Sequence, residues 1–363
     1  RSPCRACSGS SSEARVGNRL LMRALLLVIL AVCAFGVYHS RVERPEQTIR
    51  IAFLGSSDDE DYVGAMAFKE SVERAAGGRV VVQVFPSGQF CGSERECMEA
   101  LQGGILEIHQ ATIGGLAALF GPAQAIDLPY TFADDAVAEC VMDGPLLQDI
   151  GAAILEQGLG VRLMAVGNTG GWRSFATTNR RIGSPADLEG LRIRTLPSAL
   201  EQEMVRELGA SPTSLPWSEV YYALSAGLLD GTKNSVQDVV GMKLHEHIRF
   251  LFVDRHSYMG AMWWYSEKQW RALPDDLKPM VAEGFRTLAR ATRDAAASRE
   301  APALQVFAAA GGVVDVATPD QRAEFRAATS GLRDWYVRRY GRLWLDRLDA
   351  AVAACEPKTG DAG

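Results

Sequence analysis

The chain lacks the marks of several large protein classes. It carries 38 Lys and Arg against 44 Asp and Glu, and no basic run or stripe breaks that acidic balance. This argues against a general nucleic-acid surface. Histidine is scarce, at five residues. His245 and His247 stand two apart, a spacing that does not share a helical face, and H-E-x-x-H is absent, so no metal site is expected. There is no G-x-G-x-x-G after a strand, no P-loop and no G-x-S-x-G. Neither a cofactor nor a catalytic residue is expected, and the chain does not read as an enzyme. Internal repeats and low-complexity tracts are also missing. The apolar run from Ala24 to Val37 is 14 residues, shorter than an ordinary membrane span.

That run follows Met22-Arg23, which gives it the layout of a secretory leader: a positive residue, then an apolar stretch. Residues 22–39 are read as the leader, with cleavage near residue 40, and residues 1–21 as upstream, non-structural sequence. A longer leader or an uncleaved anchor is the alternative. Losing residues 1–39 removes five Arg and one Glu, taking the formal charge from −6 to about −10. Any anion that binds must then be held by local cations. Cys91, Cys97, Cys140 and Cys355 remain after cleavage, and in an oxidising compartment Cys91 and Cys97 are close enough in sequence to pair. Cys4-x-x-Cys7 has no second ligand pair, so zinc is not supported.

With 47% hydrophobic residues the chain can bury a sizeable core, and its length suggests about two domains. Strands are expected at 49–53, 79–85 and 105–109. They alternate with helices at 62–76 and from the capping pair Ser93/Glu96 to about residue 102. A second α/β set begins near Arg162. Ser184-Pro185 opens a short helix, 191–196 reads as a strand, and Leu200, Met204 and Leu208 share one helical face. A long amphipathic helix is expected from Asp275 to about Ala310, followed by a strand at 312–316 and C-terminal helices. The alternation implies an α/β layer architecture.

Six ordered segments resemble one family. Val84–Glu96 (VFPSGQFCGSERE), Ile126–Phe132 (IDLPYTF), Gly171–Phe175 (GWRSF), Ser184–Arg194 (SPADLEGLRIR), Leu208–Tyr221 and Leu229–Asn234 (LDGTKN) are similar to the signature stretches of TRAP transporter solute-binding proteins of the DctP type. The resemblance implies a two-lobed type II periplasmic-binding-protein fold with a long lobe-spanning helix. The lobes would be 48–170 plus 260–300 and 173–257 plus 301–355. It implies a periplasmic, non-catalytic protein that captures a small organic carboxylate and delivers it to one small and one large membrane subunit. A periplasmic sensor presenting its ligand to a membrane receptor would share this fold and is the alternative.

Arg194 is the first site candidate. It lies near the C-terminal end of its strand, where ligands gather in open α/β sheets, and a guanidinium matches a carboxylate with two parallel hydrogen bonds. The matching Arg is the family's carboxylate anchor; without the motif it would read as a surface Arg. The resemblance adds Arg173, otherwise an ordinary loop Arg, and Asn234, otherwise a turn residue. Trp217 is the best aromatic candidate for a cleft wall, against core packing for Trp172, Trp263, Trp264 and Tyr258. Lys233 departs from the family, which usually has an acid there. It is either an additional cleft cation suited to a diacid or an exposed turn residue.

Overall fold

The computed structural model describes Met22 and residues 25–31 and 45–357 of the chain. Met22 and residues 25–31 are helical and exposed. The rest of the expected leader, its cleavage point and residues 1–21 lie outside the described residues. No helix among the described residues is long and apolar enough to cross a membrane. The main body begins at Gln47.

Nine strands among the described residues form one continuous sheet. They are β1 (Gln47–Ala52), β2 (Val80–Phe85), β3 (Ile108–Thr112), β4 (Val161–Thr177), β5 (Arg192–Thr195), β6 (Ser211–Ser214), β7 (Gly231–Asn234), β8 (Phe250–Ser266) and β9 (Val313–Val316). Their order is β2-β1-β3-β8-β4-β7-β5-β6, with β9 beside β8. The β1–β2, β1–β3, β5–β6, β5–β7 and β8–β9 pairs are parallel, whereas β4 and β8 run antiparallel to each other and to β7 and β3. β4 and β8 are each 17 residues long, roughly 56 Å at about 3.3 Å per residue. One end of this pair joins β1–β3 and the other joins β5–β7 and β9. The architecture is therefore α/β and two-lobed, with β4 and β8 as the crossing strands.

The crossing is irregular where it leaves the first lobe. Asn168 pairs with Gly260 and Trp172 with Tyr258, so three residues of β4 stand against one of β8. Gly170 and Gly171 take φ of 109° and 84° there, conformations that side chains resist. The Asn168 side chain holds the bulge: its Oδ1 accepts from Gly171 N at 2.6 Å and its Nδ2 donates to Tyr258 Oη at 2.9 Å.

The long helix is Lys278–Ala309, 32 residues or roughly 48 Å. It packs on the helix Glu60–Ala76 of the first lobe and on Val236–Gly241 of the second. At Gly284 a Cβ would lie 2.5 Å from Val72 and 2.9 Å from Phe68, so only glycine allows this approach. Phe68, Val72, Trp263, Tyr265, Phe285 and Leu288 make the core beneath it. Val220, Leu224, Val239, Ile248, Leu251 and Phe307 make a second core in the other lobe.

The four cysteines among the described residues form two disulfides, Cys91–Cys97 and Cys140–Cys355, with Cα separations of 5.3 and 5.8 Å. The second was not anticipated. It ties the final helix, Leu343–Cys355, to Asp135–Asp143, and that helix also packs on Pro145–Glu156.

Candidate functional site

The cleft is built where strand ends of both lobes meet the crossing. In β5, Arg192 and Arg194 are two residues apart and share one face; Arg192 is exposed at the start of the strand and Arg194 is buried toward its C-terminal end. Arg192 pairs with Asp230, its Nε and Nη2 reaching the two carboxylate oxygens at 2.8 and 2.7 Å. Arg194 is 2% exposed. Its Nε and Nη2 both donate to Leu215 O, at 3.1 and 2.9 Å, and its guanidinium lies 5.4 Å from the Trp217 ring. Burial brings its pKa down to about 10, so it stays cationic. Arg173 lies just past the bulge of β4 and is 3% exposed. Its Nη1 donates to Lys233 O at 3.4 Å, and its Nε has no hydrogen-bond partner. A buried guanidinium N–H without an acceptor is costly.

Asn234 ends β7; the tight turn expected around it is instead a strand, paired with β4 and β5. Its Nδ2 donates to Asp238 Oδ2 at 2.8 Å and its Oδ1 accepts from Thr232 Oγ1 at 2.7 Å. Arg173, Arg194, Trp217 and Asn234 all line one cleft of about 50 Å³, with Leu54, Gln110 and Thr112 from the other lobe and Thr169 and Met259 at the crossing. Four of the five expected residues therefore converge. Trp263 and Trp264 are fully buried in the core, and Trp172 stacks edge-on against Tyr258.

Lys233 does not line the cleft, and it is not an exposed turn residue either. It is 3% exposed and its Nζ lies 2.7 Å from Glu201 Oε2. Within β7 the side chain next to Asn234 must face the opposite side of the sheet, and Glu201 waits there. Glu201 also accepts from Leu196 N at 3.0 Å. Lys233 and Arg173 outweigh burial and hold Glu201 at about 2, while burial lowers Lys233 to about 8. At neutral pH both are ionised, and the lysine charge is matched internally.

The acids of the cleft went unnoticed in the sequence. Asp59, Asp61, Glu94 and Asp238 all line it. Asp59 caps the helix Glu60–Ala76 by accepting from Asp61 N; the Asp238 carboxylate accepts from Asn234 Nδ2, and its backbone N donates to Ser235 Oγ at 3.0 Å, the cap of Val236–Gly241. Asp61 is 2% exposed; its Oδ2 accepts from Thr169 Oγ1 at 2.8 Å and its Oδ1 has no partner. Burial, followed by neighbouring Asp59, drives the Asp61 pKa well up, and burial raises Asp238 to about 6. Glu94 is bonded to His109 Nε2 at 3.0 Å. The signal available in the sequence was the run Asp58-Asp59-Glu60-Asp61 at a helix start, which reads equally well as a solvated first turn. No group of His, Cys, Asp and Glu among the described residues has the arrangement of a metal site.

Two lobes, crossing strands and buried cations facing a cleft define a clamp-type binding protein. Residues 53–338 match the family described as bacterial extracellular solute-binding protein, family 7 (DctP), and the chain belongs to it. The C4-dicarboxylate-binding periplasmic protein DctP of Rhodobacter capsulatus is 27% identical over 317 residues, covering 84% of this chain and 91% of that one. A TRAP periplasmic solute-binding protein from Sulfurospirillum deleyianum, solved with bound succinate, superposes with a TM-score of 0.79 at 27% identity, covering 85% of this chain and 99% of the other. One from Anaerococcus prevotii with bound D-glucuronate gives 0.79 at 25% identity, over 85% and 99%. The resemblance to TRAP solute-binding proteins and the two-lobed α/β fold both hold.

Proposed function

We propose that this chain is the periplasmic binding component of a TRAP transporter and captures a small organic carboxylate between its lobes. Arg173 and Arg194 hold the carboxylate, Trp217 supplies an apolar wall, and Asn234 orients from the second lobe. The observation that carries this reading is the buried Arg173 Nε with no acceptor, beside Arg194 in the same cleft. The loaded clamp is handed to one small and one large membrane subunit, and the leader at 22–39 delivers the chain to the periplasm. The lobes are 48–170 plus 260–300 and 173–257 plus 301–355, with the helix Leu343–Cys355 of the second tied by Cys140–Cys355 to Asp135–Asp143 of the first.

A thermal-shift screen of the mature chain against organic acids tests this. Ligand at a hundredfold excess over Kd adds about 2.7 kcal/mol of stability. Arg194→Ala leaves a buried carboxylate without its partner, which costs roughly 3–5 kcal/mol, or about two to nearly four orders of magnitude in Kd. Shifts by uncharged sugars alone, or wild-type affinity in Arg194→Ala by calorimetry, would overturn the assignment.

A further inference from the structure

The charge inventory of the cleft does not suit a simple anion. Two guanidiniums line it, Arg173 and Arg194, against four carboxylates. Glu94 is hydrogen-bonded to His109 Nε2, and Asp59 is engaged as a helix cap. Two acids remain. Asp238 approaches from the second lobe with one oxygen on the Asn234 amide. Asp61 approaches from the first lobe, 2% exposed, with Oδ1 unpartnered. Of the nearby cations, Lys233 is committed to Glu201 and Arg299 to Asp58 O and Glu60, while Arg173 and Arg194 act on Asp238 through space. Buried polar atoms are normally satisfied, so an orphan carboxylate oxygen in a ligand cleft calls for a donor that arrives with the ligand.

We infer that the captured carboxylate also bears a protonated amine, held between Asp61 of the first lobe and Asp238 of the second. An ammonium offers three donors and a charge, which serves an orphan oxygen on one lobe and an acid on the other. Its contact with both lobes favours the closed clamp. An ammonium would draw both acids into their ionised forms, which burial otherwise disfavours, whereas a bare anion brings no donor to Asp61 Oδ1. A metal ion is a poorer occupant, since no metal-type cluster exists among the described residues. The ligand class is thus a small zwitterionic amino acid or amino carboxylate. The inference rests on the carboxylate reading above and narrows it.

Calorimetry on the full mature chain decides the matter, using isosteric pairs: 2-amino against 2-hydroxy acids, and 4-aminobutanoate and 5-aminopentanoate against their hydroxy analogues. At least one amino compound should bind tenfold or more tightly than its hydroxy partner. In Asp61→Asn, and separately in Asp238→Asn, that ratio should fall below about threefold. The second variant guards against a folding defect in the first. If every hydroxy acid matches or beats its amino partner, the amine inference fails while carboxylate capture stands. If the amino preference survives both substitutions, the assignment to these acids fails. If preference appears only with added calcium, a metal occupies the acids and the inference fails. If no carboxylate of either kind binds, the underlying carboxylate reading is what has failed.

Discussion

The Lys233–Glu201 pair should be costly to halve and cheap to remove entirely. Both residues are under 5% exposed, and their charges lie 2.7 Å apart. Lowering Glu201 from 4.5 to about 2 makes its folded ionised form favourable by about 3 kcal/mol, a contribution present above pH 4.5 and lost as pH falls through 2. Lowering Lys233 from 10.5 to about 8 has the opposite sense. Between pH 8 and 10.5 the unfolded chain holds the extra proton, so stability rises with pH there, and below pH 8 the buried ammonium is a liability of about 3 kcal/mol. The two nearly cancel at neutral pH, as buried pairs commonly do against apolar replacements. Lys233→Met alone leaves Glu201 buried beside Arg173 only, and should cost roughly 3–5 kcal/mol. The double variant Lys233→Met with Glu201→Gln should regain more than half of that loss. Urea unfolding of wild type, both single variants and the double variant at pH 7 completes the cycle. Single variants within about 1 kcal/mol of wild type, or a double variant whose loss is the sum of the two, would refute the reasoning. The same cycle bears on ligand choice: a lysine committed to Glu201 gives no preference for a diacid, so Lys233→Met should shift the Kd of a diacid and its monoacid analogue alike.

Other substitutions probe the remaining parts. Arg194→Lys should restore only part of the affinity lost in Arg194→Ala, because one ammonium cannot reproduce the guanidinium fork; calorimetry on the three proteins measures this. Asp127 is raised to about 6 by burial and by Glu201, so its contribution is full below pH 3.8 and is lost as pH rises through 6. Asp127→Asn should therefore shrink the fall in melting temperature between pH 5 and 7.5. Gly170→Ala forces a side chain into φ 109°, with its Cβ 2.6 Å from Ser235 Oγ, and should cost about 1–3 kcal/mol in thermal unfolding. Cys355→Ser opens a loop of 215 residues, and the chain-entropy estimate is about 5 kcal/mol; an unchanged melting temperature would show the bridge to be dispensable.

Local chemistry made much of this legible in advance. Ser93 caps Glu94–Gly103 as its spacing suggested, and Ser184 with Asp187 closes a capping box before Pro185–Leu188. Leu200, Met204 and Leu208 are buried together. Long-range pairing was less visible. The third strand runs from Ile108, not Ile105, because the helix cap at Gly104 leaves Ile105 exposed and Glu107 reaches back to Arg50. Arg173 reads as a loop residue but follows a Gly170-Gly171 bulge inside a 17-residue strand, since only the partner strand β8 reveals the continuation. Arg173, Arg194, Trp217 and Asn234 were found through motifs. Asp61 and Asp238 were not, because 177 positions separate them and each looks like an ordinary first-turn acid until the lobes are brought together.

The bridge between Cys140 and Cys355 has a mechanical consequence. It spans 215 positions, and β4 to β9 all lie between its ends. A load applied at the two ends of the chain would pass through the sulfur–sulfur bond and bypass everything enclosed. At about 3.4 Å per residue, roughly 730 Å of contour stays out of reach of the pull until the bond is reduced. In an optical trap the oxidised protein would lengthen only by its outer segments. The reduced protein would release the enclosed segment as well, so a thiol added during stretching would register as a long additional extension.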